Sequence, residues 1–98
     1  MTLLVRPEAK QDVVEAAQWY DSKKIGLGVE FVDEIDAALD RVARGPKMYA
    51  AVYRDLRRSL VRRFPYAVYF AIRGTSVIVM AVLHQRRNQD ILSERLED

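Results

Sequence analysis

Arg62-Arg63-Phe64-Pro65-Tyr66-Ala67-Val68-Tyr69-Phe70-Ala71-Ile72-Arg73, then Gly74-Thr75-Ser76, then Val77-Ile78-Val79-Met80-Ala81-Val82-Leu83-His84-Gln85-Arg86-Arg87: this stretch decides the fold. Both apolar runs are rich in β-branched and aromatic residues, and the Gly-Thr between them is a tight turn. They read as an antiparallel hairpin. Side chains alternate along a strand, so Tyr66, Val68, Phe70 and Ile72 share one face and Ala67, Tyr69, Ala71 and Arg73 the other. Val77–Leu83 is apolar on both faces, which places it centrally. Each run abuts an arginine pair, and the second carries the only histidine of the chain. A sheet with fixed cations at its strand ends suits an anionic partner.

Upstream, Leu56–Phe64 has a third strand signal and Thr2–Arg6 a fourth. Pro7 and Glu8 open a helix over residues 7–23, where a missing N–H costs nothing and an acid meets the positive helix start. Its apolar stripe is Ala9, Val13, Ala16, Ala17 and Tyr20. Gly26 and Gly28 break it. A second helix is expected from Val29 to Arg44, with Phe31, Ile35, Ala38, Leu39 and Val42 on one side; Gly45-Pro46 ends it. Asn88–Leu96 has weak helical character. The expectation is one α+β domain over residues 1–98 in the order β-α-α-β-β-β. A helix hairpin packs on one face of a mostly antiparallel four-stranded sheet, with a short C-terminal helix or tail. The opposite face, with Ala67, Tyr69 and Ala71, is expected to form an exposed apolar floor rimmed by arginines.

The composition excludes several classes. With no cysteine there is no disulfide and no thiolate site, and one histidine cannot supply the ligand set usual for catalytic zinc. No metal and no cofactor are expected. The acidic helix face with Asp33, Glu34, Asp36 and Asp40 reads as solvated surface. The longest apolar run, Val77–Leu83, falls far short of the about 20 residues that cross a bilayer. The N-terminal residues lack the apolar segment of a signal peptide. A cytoplasmic protein is expected, with no membrane partner. The net charge of +2 hides a split. Residues 1–45 hold six Lys/Arg against nine Asp/Glu, and residues 46–89 nine against one. An acidic first half and a basic centre imply two faces with different partners.

Four pieces together resemble a known family. They are Ala16-Ala17-Gln18-Trp19-Tyr20, Gly26-Leu27-Gly28-Val29-Glu30-Phe31, Arg62-Arg63-Phe64-Pro65-Tyr66-Ala67-Val68-Tyr69 and Ala81-Val82-Leu83-His84-Gln85-Arg86-Arg87. In this order and spacing they resemble the RelE/ParE superfamily of toxins from type II toxin–antitoxin modules, within it the ParE-like branch. The resemblance covers nearly the whole chain. It implies a growth-arresting toxin, of the kind linked to plasmid stabilisation, that a cognate antitoxin wraps and neutralises. ParE-like members are associated with DNA gyrase, and RelE-like members cut mRNA on the ribosome. Related ParE-like patterns carry a proline and then a tryptophan after the arginine pair, where this chain has Asn88 and then Ile91-Leu92.

The leading expectation is a gyrase-binding toxin without a catalytic centre. Arg57, Arg62, Arg63, His84, Arg86 and Arg87 are its candidate target-binding residues, since guanidinium forks match phosphate and carboxylate alike. The alternatives are a ribosome-dependent mRNA endonuclease using His84, Arg62, Arg63, Arg86 and Arg87, or an inactive relative that only binds antitoxin. Each candidate has a plain counterpart. His84 reads as a structural cap on its strand, and Arg62 and Arg63 as partners of helix acids. Trp19 and Tyr20 read as packing between the helices. Trp19 and Tyr69 are the candidates for antitoxin contact.

Overall fold

The computed structural model describes residues 2–86 and 89–97, Gln89 by its backbone alone. The chain runs β1 (Thr2–Val5), α1 (Pro7–Lys23), α2 (Leu27–Arg44), a 3-10 turn (Pro46–Met48), β2 (Ala51–Tyr53), β3 (Leu56–Leu60), β4 (Tyr66–Arg73), β5 (Ser76–His84) and α3 (Gln89–Glu97). The sheet order is β1-β5-β4-β3-β2. β1 pairs with β5 in parallel, and every other pair is antiparallel. The class is the expected α+β, with five strands instead of four. The added strand, β2, is three residues long, too short to show an alternation. The Leu56–Phe64 strand stops at Leu60, and the chain then bends through residues 62–65, where Arg63 takes φ 70°.

Helices α1 and α2 form the expected hairpin, and glycine sets how closely they approach. Gly26 takes φ 89° at the joint. The Gly28 N–H donates to Asp21 Oδ1 at 2.7 Å. A Cβ on Gly28 would lie 2.5 Å from the Ala17 carbonyl oxygen, a separation no side chain tolerates. The hairpin covers one sheet face. Phe31, Ile35, Ala38 and Val42 of α2 pack on Val68, Phe70, Val77, Val79 and Val82. Tyr20, Phe31, Phe64 and Tyr66 form an aromatic knot, with Tyr20–Phe64 at 4.8 Å and Phe31–Tyr66 at 5.0 Å between centroids, both edge-on. Edge-to-face geometry suits the ring quadrupoles and adds to the burial energy.

The other face is not the open floor that the sequence suggests. Helix α3 folds back over it, and Leu92 is buried with Leu56, Ala67, Tyr69, Ala71, Met80 and Leu83. Tyr69 is 4% exposed. It lies on the expected face, but under α3 rather than in the open. The chain's own C-terminal segment shields the apolar surface that period-two alternation revealed. A nine-residue helix is marginal alone in water, so tertiary anchors hold α3 in place.

A fixed irregularity sits in the central strands. Phe70 faces Val79 and Tyr69 faces Ala81, so Met80 is an extra residue in β5. Beyond this bulge, Val82 joins the hairpin-side core while Ala81 and Leu83 join the α3 side. Strict alternation from Val77 would give the reverse. The bulge thereby sends His84, paired with Tyr66, to the hairpin side.

Candidate interaction surface at the end of the sheet

Three segments meet at the C-terminal end of β5. The first is the bend at residues 62–65, whose Pro65 carbonyl accepts the Gln85 N–H at 2.8 Å. The second is the turn after His84. The third is the outer face of α1. Asp12, Glu15 and Trp19 of α1 line an open cleft of about 640 Å³ together with Tyr66, Val82 and His84.

His84 caps the strand. Its Nδ1 accepts the Arg86 backbone N–H at 3.1 Å, so the proton of the neutral ring sits on Nε2. The ring lies edge-on to Tyr66, 5.5 Å between centroids. The plain expectation, a structural cap, describes this geometry well.

The arginines do not form one continuous band. Arg57 is half-buried and donates to the carbonyls of Tyr49 at 2.6 Å and Lys47 at 3.3 Å, tying β3 to the loop after α2. It faces Phe70, four residues from Tyr66 and so about 13 Å along the strand from the cleft end. Arg73 pairs with Asp55 at 2.7 Å at the opposite end of β4. Arg63 turns back onto α2, 2.7 Å from Glu30 and 3.8 Å from Glu34. The Arg63 hydrogen bond holds the Glu30 carboxyl below its ordinary range, and Glu30 holds the guanidinium up in turn. Arg62 and Arg86 are exposed, with no side-chain partner among the described residues. The two readings are thus divided between neighbours: Arg63 pairs with the helix acids, and Arg62 has no side-chain partner among the described residues. Arg87, and Asn88 beside it, lie outside the described residues. The picture of an arginine-rimmed floor is replaced by a cationic corner built from Arg62 and Arg86.

Trp19 departs from the helix-packing expectation. It is 55% exposed, edge-on to Tyr20 at 5.1 Å, with Lys23 Nζ 5.1 Å over its ring. Tyr20 is the one that packs the core, and burial beside Tyr66 pushes its phenol up from the ordinary value.

Sequence reasoning missed the pair that organises this end. Asp12 Oδ2 accepts the Val82 N–H at 2.9 Å. Arg95 of α3 grips both Asp12 oxygens at 2.8 and 2.9 Å and donates to the Met80 carbonyl at 3.0 Å. The two side chains are 18% and 11% exposed. One ion pair thus joins α1, the bulge and α3. Asp12, Glu15, Ala16 and Trp19 recur at helical spacing, a signal that reading only apolar stripes passes over. Among the described residues no group of three or more acids, histidines or cysteines is arranged to hold a metal ion, and no helix is long and apolar enough to cross a membrane.

A comparison with curated protein sequences finds no match. Among solved structures, a chain of the chromosomal ParDE TA system from P. aeruginosa superposes with a TM-score of 0.78 at 15% identity. The match covers 86% of this chain and 95% of the other, and at that identity it speaks to the fold. The family model described as the ParE toxin of the type II toxin-antitoxin system, parDE, matches residues 3–89. From the first strand to the start of α3, then, the chain carries that family's pattern, and it belongs to the ParE toxin family of type II toxin–antitoxin systems.

Proposed function

We propose that this toxin arrests growth by binding DNA gyrase in the cytoplasm through the cationic corner of its sheet, and that a cognate antitoxin neutralises it. One observation carries the reading. Arg62 and Arg86 are exposed on loops joined by the Gln85–Pro65 bond, with no side-chain partner among the described residues, while His84 spends its Nδ1 on the Arg86 backbone. Fixed cations beside a histidine engaged in capping suit binding to an acidic surface better than proton transfer. The antitoxin would supply a segment that folds on the toxin.

Ribosome-dependent mRNA cleavage keeps one observation in its favour: His84 lines the cleft with Glu15 and Tyr66. The two readings part in one experiment. Purified toxin is added to gyrase in a supercoiling assay, and a reporter message is mapped for cuts after induction in cells. The expected result is inhibited supercoiling, intact messages, loss of inhibition in Arg62→Glu/Arg86→Glu and retention in His84→Ala. Codon-phased cuts that vanish in His84→Ala overturn it in favour of the nuclease. Unimpaired growth on induction points to an inactive antitoxin-binding relative.

A further inference from the structure

The parallel strand β1 covers only the first part of β5, from Ser76 to Val79. The chain then leaves the sheet, with the Arg6 N–H on the Val79 carbonyl as the last bond of that line. From Met80 to His84 this edge of β5 has no neighbouring strand among the described residues. Which groups point outward follows from the other side. Tyr66 sends its N–H to Phe64 and its carbonyl to the Val61 N–H, both away from β5. Its partner His84 therefore turns its own backbone groups away from β4, and so does Val82, two residues earlier. The Val82 N–H on Asp12 confirms the direction. The outward Met80 carbonyl is taken by Arg95 and the Val82 N–H by Asp12. The Val82 carbonyl and the His84 N–H have no bond among the described residues. They flank Leu83 and match the spacing at which one residue of a parallel strand accepts and donates.

An open strand edge is a template for another chain, and proteins usually blunt it with charge. Asp12 and Arg95 do this at Met80 and Val82 and stop there. The unblunted end opens into the cleft, where the exposed Glu15 carboxylate and the Trp19 ring stand on α1. The Trp19 ring already seats the Lys23 ammonium, and the Glu15 carboxylate accepts a 3.4 Å bond from Gln11 Nε2. A carboxylate and an aromatic face of this kind receive a cationic side chain, which here would displace or share these contacts.

We infer that the Val82–His84 edge is where an extended segment of the cognate antitoxin adds to the sheet as a short sixth strand, with a lysine or arginine of that segment lying over Trp19 and against Glu15. This rests on the antitoxin reading above and names the site and binding mode. The backbone groups fix an extended conformation for the occupant, and Glu15 fixes the sign of its charge.

The test uses the isotope-labelled toxin and, as probe, the purified protein encoded by the reading frame next to the toxin's. Amide exchange is followed with and without it, and affinity is measured for wild type, Glu15→Lys and Trp19→Ala. Both side chains are exposed, so both variants fold. In the complex, exchange at the His84 N–H slows about a hundredfold or more. Glu15→Lys and Trp19→Ala each weaken binding about tenfold or more. A complex that forms with His84 exchange unchanged overturns the strand and leaves the antitoxin reading intact. Affinity unchanged in both variants overturns the cationic contact. Slowing that rises with toxin concentration alone assigns the edge to a second copy and overturns the inference. Absence of any complex sinks the antitoxin reading itself.

Discussion

Breaking the Asp12–Arg95 pair should loosen three elements together. Arg95→Ala leaves the Asp12 carboxylate, 11% exposed, with the Val82 N–H as its remaining partner among the described residues. Stranding one member of a buried ion pair costs about 3 kcal/mol or more. Asp12→Ala takes from Arg95 the carboxylate that it grips and also strips the Val82 N–H of its acceptor, adding about 1 kcal/mol. For a domain of this size, 3 kcal/mol lowers the melting temperature by roughly 12–24 °C. The double variant removes both charges and leaves no stranded charge, only the Val82 N–H and the Met80 carbonyl without their side-chain partners. It should cost well under the sum of the singles, a coupling of about 2–3 kcal/mol. Urea melts followed by circular dichroism give the four free energies. Amide exchange then shows whether α3 opens first in Arg95→Ala, as its short length and dependence on anchors require. Additivity within about 0.5 kcal/mol would refute the reasoning, because the pair would then not be the joint between α1, β5 and α3.

Other outcomes follow from single contacts. Gly28→Ala forces a methyl against the Ala17 carbonyl and should destabilise by about 1–3 kcal/mol in the same urea melts, with α1 and α2 pushed apart. Leu92→Ala removes the buried anchor of α3, should cost about 2–4 kcal/mol, and should raise binding of a hydrophobic dye as Tyr69 and Met80 become accessible. At high pH, Tyr20 matters. Its folded value is raised by burial, so its contribution is complete below the unfolded tyrosine value of about 10 and is lost as pH rises through the folded one. Tyr20→Phe should remove that part of the alkaline decline in melting temperature. At low pH, Glu30 behaves oppositely. Its lowered value gives a contribution present above about pH 4.3 and lost as pH falls through the folded value. Arg63→Ala should flatten that limb slightly, since the pair is exposed and solvent screens it.

The elements that were legible in the sequence are those with a strong period. The stripe through Phe31, Ile35, Ala38 and Val42 and the alternation through Tyr66, Val68 and Phe70 both survive into the core. What escaped lacked a local signal. The short strand β2 has no alternation to show. Asp12 looks like any surface acid until α3 brings Arg95 to it from 83 residues away, and nothing near either residue encodes that meeting. Trp19 reads as core by composition, yet it lines the open cleft beside the end of β5 and stays more than half exposed. Arg62 and Arg63 are identical by sequence. The left-handed backbone at Arg63 turns one toward Glu30 and leaves the other in solvent.

The covered floor and the open edge have one cause. Met80 adds a residue to β5 without adding a partner, so the strand twists where β1 ends. That insertion gives the α3 side two consecutive apolar residues, Met80 and Ala81, for Leu92 to cover. It also aims the Met80 carbonyl at Arg95, which closes the edge for one residue. Past that point, Val82 and His84 return to the hairpin side and present their outward groups to the cleft. A strand that ran regularly from Val77 would place His84 on the α3 side, away from Glu15 and Trp19. Shielding of the sheet by the chain's own helix and opening of its edge toward the cleft are thus set by the same extra residue.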